Sequence, residues 1–293
     1  MVGVVSQPDR ERGRGRRRQP SPVSEVARAH GLPLFRPERV VECEATLREL
    51  APDLGVVVAF GQFFPRRIRE LPSLGYLINA HASLLPRHRG AAPIAWAILE
   101  GDPETGISVM RVEREMDAGP VMLERRTPIG PEETRGELEE RLARLAAEAT
   151  AEAVARIAAG EARFEPQDPA RATEAPRITR RDAWLDFREP ADALVRRVRA
   201  MAPSPVAFTT LDDEPLRIHR AAADPAAVDR PPGTVHRSRD GLAIATGRGW
   251  LVPLVLQRAG GRPLETAAFL RGRAIPDGAR LGEGGPPDPE GTR

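Results

Sequence analysis

The chain contains no lysine: all 44 of its basic side chains are arginine. It has one asparagine, Asn79, one cysteine, Cys43, and only 4% aromatic residues. A lone cysteine excludes an internal disulfide and a cysteine metal cage. Few aromatics leave the core to aliphatic side chains and alanine, and an apolar fraction of 41% is enough to build one. No apolar run approaches the roughly 18–20 residues that span a bilayer. The longest clean run is LGVVVAF, 54–60. Met1 leads straight into VGVV, so no signal peptide is expected and a cytoplasmic protein is. Net charge is +2. Arginine, alanine, proline and glycine without lysine indicate a genome rich in G and C, which weakens arginine density as a sign of nucleic acid. The same bias makes a surviving asparagine more telling.

A length of 293 residues suggests two domains. Strands are expected at 1–5, 34–35, 54–60, 75–79, 106–112 and 120–126, with 54–60 apolar on both faces as in a parallel sheet covered by helices. Residues 6–22 read as a loop, and 23–30, 38–50 and 91–100 as helices. Strands alternating with helices point to an open α/β sheet. Thr134 and Glu137 form a capping-box pattern ahead of a helix with the apolar stripe Leu138, Leu142, Leu145, Ala149, Val154 and Ile157, stopped at Gly160. Residues 161–180 hold three prolines and no period, as a linker does. A helix over 190–201 and regular short strands follow, the pattern of a small β-barrel. The expected boundaries are 1–165, a linker at 166–180, a second domain at 181–282 and a disordered tail at 283–293.

Chemistry concentrates in LINAHASLLPRHRGAAPI, Leu77–Ile94. Asn79 and His81 stand two apart, so they share a strand face about 6.6 Å apart along it. They fall at the carboxyl end of their strand, where open α/β sheets hold ligands. Asp117, in the loop after the 106–112 strand, reaches the same edge. An amide N–H and a protonated imidazole can bind the oxyanion of acyl transfer to an amine. His81 can then protonate the leaving nitrogen while Asp117 orients the ring. No hydroxyl or thiol nucleophile is required, and no His/Asp/Glu set has metal spacing. The plainer alternatives are a structural histidine and an Asp-Ala-Gly turn.

The stretch from Ile78 to Met122 resembles the core of the folate-dependent formyltransferases: Asn-x-His, Ser-Leu-Leu-Pro, Arg-Gly-Ala-Ala-Pro-Ile, Glu-Thr-Gly and Met-Asp-x-Gly occur in that order. APSPVAF, PGTV and GARLG near the other end resemble the family's C-terminal RNA-binding part. The resemblance implies a Rossmann-like domain with a mostly parallel sheet, followed by an OB-like β-barrel. It implies Asn79, His81 and Asp117 as the catalytic trio, and Ser83, Leu84, Leu85 and Pro86 beside the folate donor. That donor would be 10-formyltetrahydrofolate and the acceptor the α-amino group of initiator methionyl-tRNA, with no metal and a monomeric enzyme. Arg10, Arg12, Arg14, Arg16, Arg17 and Arg18 resemble the family's basic loop and would meet tRNA phosphates. The family's first β-loop-α unit has no counterpart here, so an unfilled slot in the sheet is expected. Two other readings stay open: an RNA-binding protein with an inactive α/β domain, and formyl transfer to a sugar nucleotide or purine precursor.

Overall fold

The computed structural model describes residues 1–12, 17–238, 241–283 and 285–286. The chain runs through β1 (Val4–Val5), β2 (Arg10–Arg12), β3 (Arg17–Gln19), α1 (Pro22–Ala29), β4 (Leu34–Phe35), α2 (Glu44–Glu49), β5 (Gly55–Val57), α3 (Arg66–Arg69) and β6 (Leu77–His81). It continues through α4 (Pro93–Glu100), β7 (Glu104–Arg111), β8 (Val121–Pro128), α5 (Arg135–Ala158), α6 (Ala191–Met201), β9 (Ala207–Leu211) and β10 (Glu214–Asp224). Last come β11 (Val235–Arg237), β12 (Leu242–Ala245), β13 (Trp250–Arg258), β14 (Leu264–Glu265) and α7 (Thr266–Gly272). Met1–Arg89, Ile107–Arg125 and Ala146–Ala172 form one compact unit; Gly90–Gly106, Arg126–Leu145 and Thr173–Arg293 form the other.

In the first unit β1 pairs with β4 in parallel, joined by α1. Ser21 caps α1 by accepting from the Ser24 N–H, Pro22 opens it, and Gly31 at φ 63° follows its end. β5, β6, β7 and β8 are neighbours in that order. β5 and β6 are parallel, whereas β6 and β7 are antiparallel, so the sheet is mixed. Four expectations change. Within the expected loop, Arg10–Arg12 and Arg17–Gln19 pair as antiparallel strands, with Arg10 opposite Gln19 and Arg12 opposite Arg17. The helix expected at 38–50 becomes a 3₁₀ turn, Val40–Cys43, followed by α2. Its start is fixed by Gln62, which accepts from the Val40 N–H and donates to the Glu38 carbonyl. The 54–60 run is a strand only over Gly55–Val57, and Val56 and Val58 are exposed rather than covered. On α5, Ala153 is buried and Val154 exposed, so the stripe runs 138–142–149–153.

Part of the expected linker is fixed within the first unit: just after Glu165 and Val121 exchange two backbone hydrogen bonds at 2.8 Å, Gln167 donates to the Asp117 and Gly119 carbonyls. In the second unit α4 ends on left-handed Gly101, and α6 buries Leu194, Val198 and Met201. The sheet order is β11-β12-β13-β10-β9 with β14 on β13, and the pairings are antiparallel. Ile218, Ile244, Leu251 and Leu256 fill its buried face. No helix among the described residues is long and apolar enough to cross a membrane. Most of the expected tail, residue 284 and residues 287–293, lies outside the described residues.

Candidate active site

β6 carries both polar residues of the Asn-x-His motif inside the strand, paired with β7 so that Asn79 faces Met110 and His81 faces Ser108. Ile78 and the Asn79/His81 pair point to opposite faces by strand alternation. Ile78 is fully buried in the core, Asn79 is half-buried, and His81 is 6% exposed. The Asn79 amide makes no hydrogen bond to protein among the described residues, so its donors are available to a ligand.

The Ser-Leu-Leu-Pro turn follows directly and is closed on itself. Ser83 Oγ donates to the Arg87 carbonyl at 2.6 Å. Ser108 Oγ accepts from the Leu85 N–H at 3.0 Å and donates to the Ser83 carbonyl at 2.8 Å. Ser83 and Leu85 are buried, while Leu84 and Pro86 are half-buried. The four expected donor-binding residues thus divide: the Ser83 hydroxyl and the Leu85 N–H build the turn, and Leu84 and Pro86 are half-buried at its surface. Ser108 was not a sequence candidate. A serine within the apolar β7 run GISVM is the only signal it leaves.

Both ring nitrogens of His81 are engaged. Nε2 is 2.8 Å from the His88 carbonyl, to which it donates. His88 sits at φ 59°, and this left-handed turn aims its carbonyl at the ring. Nδ1 is 3.6 Å from Asp117 Oδ2, and both side chains are largely buried. The ring is thus held between an acceptor carbonyl on one side and a carboxylate on the other. Asp117 is itself left-handed, at φ 51°. Two residues on, Gly119 is packed against the β7 end: a Cβ there would lie 1.9 Å from the Arg111 carbonyl oxygen. The Arg111 N–H also bonds the Pro120 carbonyl, pinching the loop shut. Met-Asp-x-Gly is therefore a compact loop whose glycine permits the approach and whose aspartate turns back to the histidine. Cys43 offers no competing nucleophile: burial pushes its thiol up, and it donates to the Val40 carbonyl.

Among the arginines expected to meet phosphate, Arg10 and Arg18 are exposed on the β2–β3 hairpin. Arg12 and Arg17 are paired in the strands, and Arg14 and Arg16 lie outside the described residues. The hairpin base is held by Arg36 Nη1, which donates to both carboxylate oxygens of Asp9 at 2.7 and 2.8 Å.

An amide, an imidazole and a carboxylate meet at the end of an α/β strand, next to a closed turn, an arrangement suited to acyl transfer to an amine. The chain belongs to the formyl transferase family: the model described as "Formyl transferase" matches residues 1–154, and "Formyl transferase, C-terminal domain" matches residues 177–274. Within it, the similar curated relatives are methionyl-tRNA formyltransferases. That of Halorhodospira halophila is 44% identical over 94% of this chain and 90% of its own. That of Acidithiobacillus ferrooxidans is 45% identical over 96% of this chain and 91% of its own. Among solved structures, WlaRD, a sugar 3N-formyl transferase crystallised in the presence of dTDP and 5-N-formyl-THF, shares the fold. Its TM-score is 0.64 at 15% identity, covering 89% of this chain and 88% of that one.

Proposed function

We infer that the chain transfers the formyl group of 10-formyltetrahydrofolate to the α-amino group of methionine carried by initiator tRNA. The observation that carries the chemistry is the His81 ring held between the His88 carbonyl and the Asp117 carboxylate, with the unpaired Asn79 amide two residues away on the same strand face. In the reaction the amine nitrogen forms a bond to the formyl carbon, and the bond from that carbon to the folate nitrogen breaks. Asn79 supplies N–H donors to the oxygen that becomes negative, and His81 joins it when Nε2–H turns from the His88 carbonyl to the substrate. Asp117 orients the ring from its Nδ1 side. His81 gives one proton to the departing nitrogen, and the ring, then neutral, takes the proton that the attacking amine loses. Leu84 and Pro86 are the side chains of the Ser83–Pro86 turn that lie against the donor. The arginines of the β2–β3 hairpin take tRNA phosphates, with the C-terminal sheet as a second RNA surface.

The test is formyl transfer from 10-formyltetrahydrofolate to methionyl-tRNA by the full chain and by Asn79→Ala, His81→Ala and Asp117→Ala. Each variant is expected to lose about 10²–10³-fold in kcat. A wild-type rate in any of them returns that residue to a structural role. A dTDP-amino sugar offered as the alternative acceptor is expected to remain unformylated.

A further inference from the structure

The side-chain amide of Gln167 uses its full hydrogen-bonding capacity. Nε2 donates to the Asp117 carbonyl at 2.8 Å and to the Gly119 carbonyl at 2.6 Å. Oε1 accepts from Arg89 Nε at 3.1 Å and from Arg89 Nη2 at 2.8 Å. Two donors and two lone pairs meet four partners. Arg89 also reaches the loop that carries Asp117 directly, with Nη1 3.7 Å from Glu115.

The two ends of this bridge matter because of what they adjoin. Arg89 follows His88, whose carbonyl receives the His81 Nε2 proton. Asp117, whose own carbonyl Gln167 holds, faces Nδ1 of the same ring. The groups on either side of His81 therefore come from two loops distant in sequence, and Arg89 and Gln167 tie those loops together. Asp117 and His88 are both left-handed, a region that L-residues occupy sparsely, so the contacts that fix each loop hold the groups flanking His81.

We propose that Gln167 is a positioning residue for the Asp117–His81 pair, anchored by Arg89. The role rests on the catalytic reading of Asn79, His81 and Asp117 given above. A purely structural role would be to tie down the 161–172 segment, and it predicts a different result.

The discriminating variant is Gln167→Glu. It is nearly isosteric and keeps an acceptor for Arg89, but it loses both donors to the 117–119 loop. Steady-state kinetics across pH with methionyl-tRNA and 10-formyltetrahydrofolate, together with thermal melting, would be compared for wild type, Gln167→Glu, Gln167→Ala and Arg89→Lys. A shift of about 1 Å in a catalytic group can cost 10²-fold. For the Gln167 variants kcat is expected to fall about 10–100-fold, beyond what any fall in Tm accounts for at the assay temperature, with both KM values within about twofold of wild type. The acid limb of the kcat profile is expected to move away from that of wild type. Arg89→Lys is expected to fall between them and wild type. Wild-type kcat and pH profile in both Gln167 variants, or a loss of rate that only follows a fall in Tm, overturns the proposal. His81→Ala and Asp117→Ala in the same assay separate the two readings. If they are inactive while the Gln167 variants are normal, only the positioning role fails; if they are active, the catalytic reading fails.

Discussion

Gly119 lies so close to Arg111 that a Cβ on it would stand 1.9 Å from the Arg111 carbonyl oxygen. The partner atom is backbone in the last residue of β7, so it cannot swing aside as a side chain would. The contact closes the loop that carries Asp117.

Gly119→Ala is therefore expected to push the 113–119 loop away from β7 and withdraw Asp117 from His81. Overpacking of this kind typically costs about 1–3 kcal/mol. Activity should fall further than stability: about 10²-fold or more in kcat, because the displaced group is at the reacting centre. Steady-state kinetics beside a urea melt checks this, and a near-normal kcat would mean that the loop is not rigid.

Ser108→Ala removes the one hydroxyl that satisfies both the Leu85 N–H and the Ser83 carbonyl. Ser108 is fully buried, so water does not replace it readily. A cost of about 1–3 kcal/mol is expected. The loss should appear as a higher KM for the folate donor, since the turn beside it loosens. Donor titration at saturating methionyl-tRNA separates that effect from kcat.

What the sequence reveals and what it hides divide along the range of the interactions. Asn79 and His81 are legible because two-residue spacing on a strand fixes their common face. The Thr134–Glu137 cap and the helix over 190–201 are legible for the same local reason. Gln167 is not: its contacts reach 50 and 78 positions back along the chain, and it sits in a proline-rich segment with no period. The antiparallel sense of β7 is hidden too, because a strand's apolar pattern does not encode its direction. The β2–β3 hairpin escapes because its strands are three residues long and arginine-rich. The exposure of Val56 and Val58 could not be read from an apolar run, which states a preference for burial and not the presence of a neighbour.

The start of α5 should make stability depend on pH. Glu137 accepts from the Thr134 N–H at 2.8 Å and from its hydroxyl at 2.7 Å. The Thr134 backbone N–H, then its hydroxyl, hold the Glu137 carboxyl below its usual range, aided by Arg220. A depressed folded value means that the stabilisation is present above the unfolded value, about 4.3, and is lost as pH falls through the folded one. Glu137→Gln is expected to cost about 0.5–1 kcal/mol at pH 7. The difference from wild type should shrink towards zero below about pH 4. Denaturant melts at pH 7 and pH 3.5 test it, and a cost independent of pH would exclude the charge.

The hairpin arginines should reveal themselves through salt. Arg10 and Arg18 are exposed on facing strands of the β2–β3 ribbon, and Arg10 has a weak partner in Glu38 at 3.9 Å, both side chains being mostly solvated. Such an exposed pair contributes little, so Arg10 can exchange it for a phosphate at small cost. Each phosphate contact contributes about 0.9 to the slope of log affinity against log salt on duplex nucleic acid. Arg18→Ala should weaken methionyl-tRNA binding and flatten that slope by about one, with Arg10→Ala doing the same and the double variant about two. Melting temperature and turnover at saturating tRNA should hold, since neither side chain is buried. A slope identical to wild type in the double variant would assign tRNA binding to other surfaces of the chain and leave the hairpin arginines solvated.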